Sequence, residues 1–137
     1  MALNITKTVY AEEGRRWIQD DNTLYWPYVD AASNHPSVIN HKIVCAVRRW
    51  VSWEEGEYTA TITSAKSSST DCGDGVDLIM IIDGKITYKR VITNSEKEQT
   101  DVKINIKVGS KVDLVVDPKK SDACDATTVE LEIWSEL

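Results

Sequence analysis

From Ile43 to Trp134 the chain is a succession of short β-rich runs broken by turn signals at regular spacing, and this rhythm leaves little room for helices. The runs are Ile43 to Trp50, Glu57 to Thr63, Val76 to Ile82, Lys85 to Ile92, Asp101 to Val108, Lys111 to Val116 and Thr127 to Trp134. Asp101 to Val108 alternates strictly, so Val102, Ile104, Ile106 and Val108 are expected on one buried face; Val129, Leu131 and Ile133 repeat the pattern near the end. Val76 to Ile82 is almost continuously apolar, as a central strand covered on both faces would be. Asp83-Gly84 between two such runs predicts a two-residue hairpin turn, because both residues must accept positive φ. Glu54-Glu55-Gly56 reads as the turn of another hairpin joining the first two runs, and Pro118 ends the strand before it by withholding a ladder N–H.

The expected fold is therefore all-β: an antiparallel, jelly-roll-like β-sandwich of seven to eight strands, forming a single domain over residues 1–137. Residues 1–42 supply an N-terminal strand and an aromatic loop, and 43–134 supply the core strands. At this length roughly two thirds of the unfolded surface can be buried, so neither metal nor disulfide is needed for a core. An apolar content of 42% excludes disorder as a description of the whole chain.

A net charge of -6, with Lys and Arg scattered along the sequence, argues against a nucleic-acid partner. The longest apolar run, Leu78 to Ile82, is far short of the roughly twenty residues of a spanning helix, so no membrane partner is expected. Residues 1–8 show no basic stretch leading into an apolar one, and no secretory signal is read there.

Five Trp and five Tyr stand in a chain with no Phe. Both side chains join a flat apolar face to a polar tip, which suits a partly wet recognition surface, including one on which a sugar ring stacks. Tyr25, Trp26 and Tyr28, together with Trp53, are the candidate ligand-binding residues; the competing reading packs these rings over the open ends of the sandwich. Asp71, Asp74, Asp122 and Asp125 lie in loops near strand ends and are candidate ligands for a structural calcium, although Asp in turns also serves local backbone hydrogen bonds. Otherwise no cofactor is expected. Of three cysteines, Cys45 reads as a small hydrophobe within a strand, whereas Cys72 and Cys124 sit in polar loops; a bridge between these two is one option and free thiols the other.

His35 and His41 fall in no triad or metal motif and read as surface or loop-anchoring residues, so no catalytic residues are assigned. Arg48 and Arg49, adjacent in a strand, must point to opposite faces, one of them inward; a buried or edge ion pair with a loop aspartate is expected, and a ligand-binding arginine is the alternative.

His35-Pro36, Ala46-Val47-Arg48-Arg49-Trp50, Gly73-Asp74-Gly75-Val76, Val108-Gly109-Ser110-Lys111-Val112-Asp113-Leu114-Val115-Val116-Asp117 and Asp125-Ala126-Thr127-Thr128 follow one another in an order that resembles accessory β-sandwich modules of secreted bacterial proteins and polysaccharide-degrading enzymes. The likeness is to jelly-roll carbohydrate-binding modules. It implies a non-catalytic module presenting an aromatic surface to a polysaccharide or surface glycan, in an extracellular setting as part of a larger protein. Similar sandwiches serve bacteriophages as capsid decoration or tail and fibre components, which makes a virion protein with capsid or tail partners the alternative. A small glycan-active hydrolase or lyase is a third reading, and would need two carboxylates facing each other across a cleft.

Overall fold

The computed structural model describes residues 8–11, 16–19, 28–29, 33–66 and 72–136, the first ten of these as backbone except for Val29. Thirteen strands and no helix are found among them. Short strands come first: β1 (Thr8–Ala11), β2 (Arg16–Gln19), β3 (Tyr28–Val29), β4 (Ser33–His35), β5 (Ser37–Ile39) and β6 (Lys42–Val44). The longer ones follow: β7 (Ala46–Val51), β8 (Gly56–Lys66), β9 (Val76–Ile82), β10 (Lys85–Ile92), β11 (Glu98–Ile106), β12 (Lys111–Asp117) and β13 (Thr127–Trp134). The seven runs anticipated after Ile43 correspond to β7–β13, while Ile43 and Val44 belong to β6. The surplus over seven or eight strands comes from the N-terminal third, whose two- to four-residue strands are too short to display a period.

One sheet has the order β1-β2-β3-β4-β13-β8-β11 and the other β10-β9-β12-β7; β5 and β6 form a separate hairpin. All pairings are antiparallel. The two larger sheets form a sandwich around one core: Ala60 and Ile62 of β8, Ile104 and Ile106 of β11, and Val129 of β13 meet Leu78 and Met80 of β9 and Val112, Leu114 and Val116 of β12. β9 is central in its sheet, and its opposite face is also covered, with Ile79 and Ile81 beside Val115. The Asp83-Gly84 turn forms as expected, with φ of 49° and 84° and Lys85 opposite Ile82. The β5–β6 hairpin turns on Asn40-His41, which adopt φ of 49° and 62°.

Two expectations are corrected. β7 and β8 do not pair: β7 joins β12 in one sheet and β8 lies between β13 and β11 in the other. Their connector instead crosses the sandwich edge alongside the β11–β12 connector, with Ser52 N donating to Ser110 O at 2.9 Å and Gly109 N donating to Ser52 O at 2.7 Å. Gly56, at φ 137°, lacks the left-handed pair that a tight hairpin turn would need. Val108 is 68% exposed, because β11 ends at Ile106 and the alternation stops with it.

Candidate functional site

β7 is an edge strand, and its register with β12 decides where its side chains go. Leu114 and Val116 face the core, so their partners Arg48 and Ala46 do too, as does Trp50 opposite Val112. Arg49 points away and makes a two-pronged contact with buried Asp113, Nε to Oδ1 at 2.7 Å and Nη2 to Oδ2 at 2.8 Å. Arg48 reaches across to the opposite sheet, donating from Nε to Asn34 Oδ1 at 2.9 Å and from Nη2 to Ser33 O at 3.1 Å. Asn34 is itself buried and donates to Thr127 O at 3.2 Å, so one guanidinium ties β7 to β4 and, through it, to β13.

Beyond this tie the two sheets part. A groove of about 510 Å³ opens between β7 and β13, its floor made by Leu114, Val129, Leu131 and Ile133. Trp50 and Trp53 form a wall, with Arg48 and Glu130 at the rim. Trp50 is half-buried against the core, whereas Trp53, in the connector after β7, is 74% exposed. Their ring centroids are 5.9 Å apart at 60°, so the buried indole braces the exposed one. The connector is held as well: Ser52 Oγ donates to Glu54 O at 2.6 Å, and Tyr58 Oη to Glu54 Oε2 at 2.7 Å.

Of the other aromatic candidates, Tyr25 and Trp26 lie outside the described residues. The backbone of Tyr28 lies in β3, which runs beside β7 and thus borders the same side of the sandwich. Sequence reasoning passed over Trp134, on the outer face of β13, where Nε1 donates to Thr61 Oγ1 at 2.9 Å; its place in the alternation opposite Ile133 was the available signal.

Of the acidic candidates, Asp74, Asp122 and Asp125 fall among the described residues, where each has its own surroundings. Asp71 lies outside the described residues. Asp74 Oδ2 accepts from Lys120 N at 3.1 Å, and Asp122 Oδ2 accepts from Ser37 Oγ and Val38 N, each at 2.8 Å. Asp125 is fully buried with the Lys66 ammonium 4.0 Å from Oδ1. Among the described residues no group of three or more His, Cys, Asp or Glu is placed to hold a metal ion. Asp74 and Asp122 instead order the loops, as Asp in turns commonly does.

Cys72 and Cys124 are joined as a disulfide, with Cα atoms 5.7 Å apart, linking the loops ahead of β9 and β13. Cys45 is a free thiol that burial, with Asp117 nearby, pushes up to about 12, which leaves it unreactive at neutral pH. His41 is an exposed turn residue; His35 is buried, its Nδ1 2.6 Å from Pro36 O, and burial lowers its pKa.

The sequence matches no protein-family model. It matches no curated protein. Among solved structures, the C-terminal domain of EclA, a sugar-binding protein, superposes with a TM-score of 0.51 at 18% identity, covering 83% of this chain and 84% of that one. At that identity the likeness is one of fold.

Proposed function

We propose that this chain is a non-catalytic carbohydrate-binding module whose ligand stacks on Trp53 in the groove between β7 and β13. The observation that carries the reading is an indole left 74% in solvent yet braced by a second, half-buried indole tilted against it. A flat ring whose orientation is fixed before binding loses little freedom when a sugar's C–H face settles on it. Glu130, exposed in the groove lining, provides an acceptor for hydroxyl groups. A sandwich fold shared with a sugar-binding domain supports the same reading. The Cys72–Cys124 disulfide favours an oxidising, extracellular setting over assembly inside a host cell, and so favours the glycan module over the virion component. Among the described residues lining the groove Glu130 is the sole carboxylate, whereas glycoside hydrolysis uses a pair.

Affinity electrophoresis through gels cast with a panel of soluble polysaccharides tests this directly. At least one gel should retard the wild-type chain. Because truncating an anchoring Trp costs about 2 kcal/mol, Trp53→Ala should bind roughly 30-fold more weakly. With Trp53 so exposed, thermal stability should barely move. Equal retardation of both proteins on every polysaccharide that binds would remove Trp53 from the ligand site.

A further inference from the structure

Lys66 is the last inward-facing residue of β8, continuing the series Ala60, Ile62 and Ser64 that points into the sandwich. It is 2% exposed, and Asp125 at 0% stands two residues before Thr127, the cross-strand partner of Lys66. The Lys66 Nζ lies 4.0 Å from Asp125 Oδ1 and donates to Cys72 O at 3.3 Å. Neither oxygen of Asp125 accepts a hydrogen bond.

As an ion pair this arrangement is poor. Burial of two charges is offset only when they approach closely and their remaining hydrogen-bonding capacity is filled, and here the separation is long and both carboxylate oxygens are orphaned. Burial also pushes the Asp125 carboxyl up to about 7 in spite of the nearby ammonium, favouring the uncharged acid near neutral pH.

We propose that Lys66 and Asp125 condense to an intramolecular amide, an isopeptide cross-link between the end of β8 and the segment that leads into β13. The reaction begins with proton transfer from the ammonium to the carboxylate. The freed Nζ lone pair then attacks Cγ of Asp125. A C–N bond forms, a C–O bond breaks, and the departing oxygen leaves as water with two protons that were on the lysine nitrogen. Nothing is oxidised or reduced, and no further reactant is required. The product removes both buried charges and keeps one N–H, which the carbonyl of Cys72 is already placed to accept. Holding amine and acid together in a site closed to solvent raises their effective concentration and denies water the reverse reaction. The cross-link spans almost the same loop as the Cys72–Cys124 disulfide, so the two would staple this end of the sandwich side by side. It is independent of what the groove binds.

Intact-mass measurement of the purified full chain, denatured and reduced, decides the matter. The expected mass is one water below that of the sequence, with trypsin failing to cut after Lys66 and fragmentation showing a branched peptide that joins Lys66 to Asp125. Lys66→Arg should restore the missing water. A wild-type chain at full sequence mass would overturn the proposal, and so would a water loss confined to one linear peptide around Asp125. Should the variant fail to fold, the wild-type mass and peptide map still give the answer.

Discussion

Gly73 and Gly84 share a left-handed backbone but differ in surroundings, and together they test how tightly the disulfide-linked loops are packed. Their φ values are 76° and 84°. A Cβ on Gly84 would meet nothing within 4 Å, whereas one on Gly73 would lie 2.1 Å from the carbonyl oxygen of Ala123. That oxygen is backbone, and Ala123 is adjacent to Cys124 just as Gly73 is adjacent to Cys72, so the bridge itself prevents the loops from separating. Gly84→Ala should therefore cost only the left-handed conformation, about 1 kcal/mol. Gly73→Ala adds an overpacking cost of about 1–3 kcal/mol, for a total of about 2–4 kcal/mol. For a chain of this length about 1 kcal/mol corresponds to roughly 3–4 °C in Tm, so Gly84→Ala should melt about 3–4 °C below wild type and Gly73→Ala about 6–16 °C below. Thermal denaturation of the oxidised proteins, followed by circular dichroism, measures both. If Gly73→Ala melts no lower than Gly84→Ala, the close approach of the two loops is wrong.

Other outcomes follow from the same structure. Met80→Ala, at a fully buried position facing both sheets, should lose about 2–5 kcal/mol, read as a lower urea midpoint at unchanged slope; a loss under about 1 kcal/mol would contradict the packing of β9. Thiol titration of the unfolded, unreduced chain should find one thiol, that of Cys45, and three would exclude the bridge. The Lys111 N–H and the Ser110 hydroxyl hold the Asp83 carboxyl below the usual range, so its contribution to stability is present above the unfolded pKa of 3.8 and is lost as pH falls through the folded value. Asp83→Asn, which retains the turn preference, should accordingly flatten the acid limb of the stability–pH profile; an unchanged limb would assign acid sensitivity to other carboxylates.

Local signals carried much of the fold. The two-residue period placed Ile104, Ile106 and Val129 in the core, continuous apolar character marked Val76 to Ile82 as a central strand, and Asp83-Gly84 announced its own turn. Each is a property of neighbouring residues, imposed by the pleat or by φ, and so can be read along the chain. The exposed aromatic at Trp53 was legible for the same reason, through a side chain whose chemistry suits a wet surface. The opposing floor of Val129, Leu131 and Ile133 was not, because β13 lies far from Trp53 in sequence.

Apart from the β9–β10 hairpin, strand partnership belonged to the tertiary structure. Nothing between Trp50 and Glu57 distinguishes a hairpin from a crossing to the other sheet; the choice rests on β12 offering β7 an edge and on two connectors bonding to each other at one end of the sandwich. That choice turned Arg48 toward Asn34, and it separated Asp74, Asp122 and Asp125 into different tasks. The meeting of Lys66 with Asp125 likewise follows from the register of β8 against β13. The sequence by itself determined which residues turn inward, since that alternation is local; which inward residues face one another was decided only when distant strands, joined by hydrogen bonds common to every residue type, settled into one register.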